Sequence, residues 1–376
     1  MGVAVIGGGI SGLAAAYHLK KSGEDVTLYE SSAHVGGKIC TKYSEGFELD
    51  LGPLTIAETP AITQLASELN LQVIEASPAA KLRYIYSRGK LHEVGPNPMK
   101  STVLSPGGKL SMLKAPFVSK PKPEDTVATY TQRRFGREAY QRLFNPLMNG
   151  IYAGNTELMS AQAVFKSHGP RKIISFEGGI KSLTTALASK LEGSIKTGTV
   201  VSNIRGFERV CIATPAFVTA ELIRHLDNDL ADKLKSVRYS DVCQVYCEVV
   251  PGAKRFEGFG FLVPSEEKMS LLGAVCVSNV FPYKATDGKM LFVLFCGGDR
   301  SYHFDATVEG ALSEFSSVVR PATTRVLHVQ EWRKAIPQFY VGHEKLVDHI
   351  SQFEKKHPNI TITGNYKTGV AVGNCV

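Results

Sequence analysis

The stretch "VAVIGGGISGLAAAYHL", Val3 to Leu19, decides the fold. "VAVIGGG" reads as a buried parallel strand, and "SGLAAAYHLKKSG" as a helix closed by Gly23. Gly7, Gly9 and Gly12 fit G-x-G-x-x-G, with Gly8, Ile10 and Ser11 filling the turn. Gly7 permits the tight turn, Gly9 lets a pyrophosphate approach the backbone, and Gly12 lets helix and strand pack closely. The helix N-terminus then presents free N–H groups and a positive dipole end to an anion. A second strand, "DVTLYE", ends in Glu30, 18 residues after Gly12, with Ser31 beside it. An acid at that place accepts hydrogen bonds from an adenosine ribose. A dinucleotide site on a strand–turn–helix is the expectation.

The residues after Glu30 separate one dinucleotide from another. "ESSAHVGGKICTKYSEGFELDLGP" places Gly36, Gly37 and Lys38 soon after the acid, then an irregular stretch ending at Gly52-Pro53. A nicotinamide-binding unit would proceed straight into another crossover helix. The pattern from Met1 to about Thr55 resembles the flavin-binding amine oxidase superfamily, which extends the acid into a "GG" turn and a "D-x-G-P"-like stretch against the flavin. The resemblance implies that the anion is the pyrophosphate of FAD.

Bulk properties narrow the class. A chain of 376 residues, 43 % hydrophobic and 21 % charged, has room for two domains with ordinary soluble cores. The net charge of +8 is spread thinly, densest between Lys81 and Lys122, and no aromatic-interleaved basic motif points to nucleic acid. Seven cysteines among apolar neighbours argue for a reducing compartment and against a disulfide framework. Cys243 and Cys247 share one face of a strand, but no second pair or spaced histidines accompany them, so no metal site is expected. No signal peptide is expected ahead of the first strand, and the longest apolar run, Met290 to Cys296, is too short to span a bilayer.

Further along, "PAITQLASELNL" reads as an amphipathic helix and "KLRYIYSRGKLHEVG" as a hairpin turning at Arg88-Gly89. "EDTVATYTQRRFGREAYQRLFNPLMNGIY" reads as helix, opening after an acidic cap and breaking at Pro146. "VVSNI" and "ERVCIATP" read as strands returning to the first domain, and "ITITGNYKTGVAVGNCV" as a last strand and glycine loop. Alternating segments between Phe217 and Arg320 describe an antiparallel sheet. The fold expected is α/β: a Rossmann-like FAD-binding domain from discontinuous pieces (1–75, 175–215 and 325–376), an α+β substrate domain (76–95 and 216–324), and a mainly helical, membrane-facing region (96–174).

Three later stretches, "LFNPLMNGIYAGNTELMSAQAVF", "FGFLVPS" and "WRKAIPQFYVGH", together resemble the protoporphyrinogen oxidase family, which includes coproporphyrinogen oxidases. "PAAKLRYIY" and "GNYKTGVAVGNC" fit as well, so the likeness runs over most of the chain. It departs at Lys166–Ile174 and at Arg205–Phe207, where relatives carry longer excursions, and at the carboxyl end, where relatives continue into a helix beneath the flavin. The short connections read either as compaction or as segments missing from the sequence.

The resemblance implies roles. Arg83 matches the position that anchors a substrate propionate, with an exposed hairpin charge as its plain alternative. Gly150 heads the turn facing the macrocycle, or is a simple turn glycine; Phe261 and Leu262 supply an apolar wall, although one face of their strand must be core. Gly52, Pro53, Leu54 and Thr55 lie near the isoalloxazine, Lys38 near the pyrophosphate or ribityl chain, and Val201 at the adenine. Trp332 with Val370, Ala371 and Val372 closes over the flavin, a structural tryptophan being the rival reading. Asn374 stands where relatives often have aspartate. Met148 and Tyr152 are expected to be packing.

The implied reaction takes six electrons from a porphyrinogen in three hydride transfers, with molecular oxygen reduced to hydrogen peroxide. Such a transfer needs placement more than an acid or base, and no catalytic acid or base is assigned. Protoporphyrinogen is the leading substrate and coproporphyrinogen III the alternative. A polyamine oxidase, a carotenoid desaturase, a porphyrin escort and a nicotinamide dehydrogenase are the rivals. The expected setting is cytoplasmic, with peripheral attachment to an anionic membrane, and with ferrochelatase and a second copy of the chain as candidate partners.

Overall fold

The structure is a computed structural model that describes residues 2–95, 97–165, 172–285, 288–298 and 304–376. Its strands in the first half are β1 (Gly2–Ile6), β2 (Asp25–Tyr29), β3 (Cys40–Ser44), β4 (Phe47–Leu51), β5 (Ile56–Ala57), β6 (Val73–Glu75), β7 (Arg83–Ser87), β8 (Lys90–Glu93) and β9 (Ile173–Phe176). The second half adds β10 (Ile195–Lys196), β11 (Arg209–Ile212), β12 (Tyr239–Val250), β13 (Gly260–Leu262), β14 (Leu271–Cys276), β15 (Met290–Gly298), β16 (Thr323–Pro337) and β17 (Ile360–Ile362).

Two sheets organise the molecule. The first runs β10-β2-β1-β11-β17, all parallel. Its strands are apolar on both sides, as a sheet covered by helices requires. Ala4, Ile6, Val210 and Ile212 face helices Ala216–Ile223, Asn228–Lys235 and His343–Lys356. Val5, Leu28 and Cys211 face helices Ile10–Lys21 and Lys181–Lys190. The central strand thus takes its partners from chain segments about 20, 200 and, one strand further out, 350 residues along.

The second sheet runs β16-β12-β15-β14-β13-β7-β8 and is antiparallel except where β13 meets β7. Alternation sorts its residues: Cys243, Val245, Cys247 and Val249 pack with Ala311 and Phe315 of helix Phe304–Val319, while Tyr246 on the opposite face meets Phe47, Leu49 and Leu51 of the β3–β4 hairpin. Cys243, Cys247, Cys276 and Cys296 are therefore core thiols, and among the described residues no group of ligating side chains is arranged for a metal.

Several sequence expectations are corrected. Val200–Ile204 is irregular rather than a strand; it runs past the end of β10 with Val200 exposed. The helical region opens on Thr126, whose hydroxyl and that of Thr129 form a reciprocal cap, not on an acid. It breaks at Gly136 (φ 93°), and Pro146 falls in the first turn of helix Asn145–Tyr152, where a missing N–H costs little. Between the two, Tyr140–Phe144 forms a single wide π turn. Thr323–Pro337, grouped with the nucleotide-binding pieces from sequence, lies along the edge of the second sheet beside β12. The hairpin β7–β8 does turn at Arg88-Gly89, both with positive φ as the tight turn demands. The expectation for the short connection at 166–171 falls outside the described residues.

Candidate functional site

The turn after β1 is built from backbone. A methyl group at Gly12 would overlap the Gly7 carbonyl oxygen, so only glycine lets the helix seat against the strand. At Gly9 nothing lies within 4 Å of where a Cβ would be, and the space above the helix N-terminus is open. The Gly36-Gly37 turn closes one side: Gly36 N–H donates to the Gly8 carbonyl at 2.8 Å, and Gly36 pairs with Gly9. Ile10 packs on the core and Ser11 is buried at the start of the helix.

Glu30 ends β2 with its carboxylate toward this turn. It accepts from Gly8 N–H at 2.6 Å, from Ser32 N–H at 2.8 Å and from the Ser32 hydroxyl at 2.7 Å, and Ser31 adds its hydroxyl at 3.2 Å. Partial burial opposes ionisation, but these four donors outweigh it and hold the carboxyl below its ordinary range. Lys38 follows the glycine turn with no hydrogen-bond or ion-pair partner among the described residues, and burial pushes its ammonium below the usual lysine value. A carboxylate for a ribose, a bare dipole end for a diphosphate and an unpartnered ammonium beside them fit an adenine dinucleotide in each of its parts.

The flavin-facing segment expected at Gly52–Thr55 follows β4. Gly52 has φ 115°, and a side chain there would meet the Lys38 carbonyl oxygen. Leu54 turns into the apolar cluster with Phe47 and Tyr246, leaving Pro53 and Thr55 partly exposed. Beneath this segment Lys284, 1 % exposed, reaches Asp50, 3 % exposed, in a direct ion pair and lies 3.0 Å from Glu48. Asp50 also accepts from the Thr41 hydroxyl at 2.6 Å and Ile180 N–H at 2.9 Å. Burial alone would depress the Lys284 ammonium; the Asp50 charge overrides it and raises its pKa. Trp332 on β16 donates its indole N–H to Gln244 at 3.2 Å. Val370 and Val372 lie in the C-terminal loop, packed respectively on Phe339 and its neighbours and on the first-domain core, with Ala371 between them and Asn374 folded over Gly369. Val201 packs at the margin of the opposite core.

The second sheet supplies a continuous face. Pairing places Ile85, Leu262, Gly273, Phe295 and Gln244 on one rung, and Arg83, Gly260, Val275, Val293 and Tyr246 on a parallel one. The first rung ends at Gly52 through Gln244; the second ends at Asp50, whose carbonyl accepts from the Tyr246 hydroxyl at 2.6 Å. Arg83 stands at the far end, four strand spacings or roughly 19 Å from Tyr246. The residue is exposed on its strand; its guanidinium lies 5.1 Å from the Phe259 ring centre without a carboxylate partner among the described residues, and partial desolvation lowers its pKa. Leu262 touches Gly150: a Cβ on that glycine would come 2.7 Å from the leucine methyl. On the same flank of helix Asn145–Tyr152, Leu147 and Ile151 are exposed.

Sequence reasoning therefore brings Arg83, Leu262 and Gly150 to one face, but not Phe261. Phe261 is 2 % exposed, points to the helix-covered side and packs against Phe256; adjacent strand residues alternate, so it and Leu262 cannot share a wall. Met148 and Tyr152 are core, with Tyr152 edge-on to Phe339. Sequence reasoning passed over Phe295, Gly273 and Gln244. Their signal was the alternation of "CQVYCEVV" and "MLFVLFC", which gives two faces but no means of telling which one meets the cofactor half.

Known proteins resemble this chain over nearly its whole length. Protoporphyrinogen oxidase from human is 28 % identical across the whole of this chain and 96 % of its own length, and the chloroplastic enzyme from rice is 27 % identical over 99 % of this chain and 85 % of its own. Coproporphyrinogen III oxidase from Bacillus subtilis is 23 % identical, covering 100 % and 95 %. The rice alignment extends over 461 positions, so that relative carries segments this chain lacks. The fold matches that of an Exiguobacterium protein provisionally assigned as a protoporphyrinogen oxidase, with TM-score 0.83 at 20 % identity over 99 % and 95 % of the two chains. It also matches a putrescine oxidase variant, with TM-score 0.73 at 17 % identity over 100 % and 96 %. The profile of the family described as flavin containing amine oxidoreductase covers residues 10–376; the chain belongs to that family, and its cofactor is FAD.

Proposed function

We propose that this protein is an oxygen-dependent protoporphyrinogen oxidase, converting protoporphyrinogen IX to protoporphyrin IX. When bound, FAD would supply the two-electron oxidising chemistry for each of three hydride removals, with oxygen as the final acceptor and hydrogen peroxide as its product. The protein's part is placement. Arg83 pairs with a propionate at one end of the sheet face, while Leu262, Phe295 and the Gly150 flank hold an apolar macrocycle over it. Gly273, which has no side chain, lets Leu262 lie across its place on the rung: a Cβ there would come 3.1 Å from the leucine methyl. Gly52, Pro53 and Thr55 border the flavin ring, Lys38 neutralises the diphosphate, Glu30 holds the ribose, and Trp332 with Val370–Val372 closes the far side.

The observation that carries the reading is the single sheet face with an unpaired arginine at one end and the flavin-facing backbone at the other. The test supplies each porphyrinogen under air to purified protein and follows porphyrin fluorescence and peroxide together. Three equivalents of peroxide per protoporphyrin are expected; an FAD-loaded protein that oxidises neither porphyrinogen ends the proposal. Coproporphyrinogen III is the second reading, favoured by the Bacillus relative; the relative rates on the two substrates decide.

In this reading residues 1–75 and 175–215 with the C-terminal piece form the cofactor half, and the second sheet with 76–95 and 216–324 the substrate half. Residues 96–174 form the membrane-facing region. Leu110, Leu113 and Phe117 are exposed there, Phe117 at 90 %, beside Lys100, Lys109, Lys114 and Lys120. No described helix is long and apolar enough to cross a membrane. Contact is therefore peripheral, and anionic vesicles should sediment the protein where neutral ones do not. Family resemblance alone supports a ferrochelatase contact and a homodimer.

A further inference from the structure

We propose that Gln244 is a positioning residue: its amide fixes the Gly52 backbone against the flavin and thereby sets the register between the cofactor cradle and the substrate sheet. The inference rests on the reading of Gly52–Thr55 as the flavin-facing segment. Gln244 is 1 % exposed, on the inner face of β12. Its Oε1 accepts from Gly52 N–H at 3.0 Å and from the Trp332 indole at 3.2 Å, while its Nε2 donates to the Gly52 carbonyl at 2.7 Å. The two bonds to one residue close a small ring, which fixes the peptides on both sides of Gly52 rather than merely tethering them. The amide orientation follows from its partners: two N–H donors can meet only the oxygen, and the carbonyl only the nitrogen.

Burying an amide is costly unless its partners are satisfied, and an apolar side chain would pack here with less demand. Here the amide meets Gly52, which has φ 115° and no side chain of its own and so can be held only through its backbone groups. Tyr246, two residues along β12, holds the Asp50 carbonyl at 2.6 Å, so the strap is gripped twice by one strand. That strand carries the rungs that begin at Ile85 and Arg83. Gln244 is thus the point at which a displacement of the substrate face becomes a displacement of the flavin-facing backbone.

The test uses the full chain in four forms: parent, Gln244→Leu, Gln244→Glu and Trp332→Phe. Two readouts are taken, hydrogen exchange at the Gly52 amide in flavin-free protein and FAD affinity by quenching of flavin fluorescence. Gln244→Glu keeps the acceptor but not the donor and should weaken FAD about threefold to tenfold; Trp332→Phe should do so by about threefold or less. A folded Gln244→Leu protein with Gly52 exchange and FAD affinity both within about twofold of the parent overturns the proposal. If Gln244→Leu does not fold, Gln244→Glu decides, and parental values in it overturn the proposal. A parent that takes up no FAD sinks the flavin reading instead, and the Gly52 exchange rates then decide the clamp alone.

Discussion

The two sheets carry their parts of the site in different ways. In the parallel sheet the binding groups are backbone: N–H groups at a helix end, the space over Gly9 and a turn that only glycines can make. In the seven-stranded sheet they are side chains, and what matters is which of two faces each occupies. A backbone site is written locally, because the residues that make it are neighbours in the chain. A side-chain face is written in the pairing of strands drawn from residues 83 to 337, and slipping one strand by a residue would exchange its faces.

Substitutions break or sharpen that contrast, beginning where the two halves are joined. Lys284→Met leaves Asp50 and Glu48 buried without their cation at the end of the β4 strand that leads into Gly52, and should cost about 3–5 kcal/mol by urea denaturation. Gly12→Ala drives a methyl into the Gly7 carbonyl and should cost about 2–3 kcal/mol while abolishing flavin uptake. Gly9→Ala is the sharpening partner: with open space above it, unfolding should move by less than about 0.5 kcal/mol, yet FAD affinity should fall by about tenfold or more. Equal effects of the two alanines on stability would refute the distinction between a glycine needed for packing and one needed for a ligand.

On the side-chain half, Arg83→Ala should raise the porphyrinogen KM by about tenfold, with kcat and flavin content unchanged. A fall in kcat with KM unaltered would place Arg83 elsewhere in the reaction. The smallest effect is expected at Glu30. Its carboxyl is held below the ordinary 4.5, so the unfolded chain takes up its proton first as the pH drops. The stability it contributes is complete above about pH 4.5 and is lost as the pH falls through the lowered native value. Glu30→Gln should flatten that part of the acid-denaturation profile by lowering stability modestly on its neutral side, leaving the most acidic region little changed.

Much of the first sheet was legible from sequence because "VAVIGGGISG" and "DVTLYE" specify geometry within a few residues. The segments Val200–Ile204 and Thr323–Pro337 were not. The first has β-branched residues but runs beyond its neighbour, so it finds no partner to pair with; the second alternates like any strand and reveals nothing about which sheet claims it. The same limit explains Phe261 and Leu262. Sequence placed both on one strand, and only the neighbouring strands and helix Phe304–Val319 determine which is core. Gln244 was invisible for a further reason: a buried amide amid "CQVYCEVV" breaks the apolar pattern, and its justification, Gly52, lies 192 residues away.

The placement of β1 bears on how the protein is made. Strand β1 waits for Arg209–Ile212 before its second side is covered, and that strand in turn waits for Ile360–Ile362. On the ribosome, the glycine turn therefore emerges long before the sheet that supports it is complete. Vitamin-derived cofactor has no finished cradle to enter until Ile360–Ile362 has been translated, and a nascent chain stalled short of that strand would be colourless.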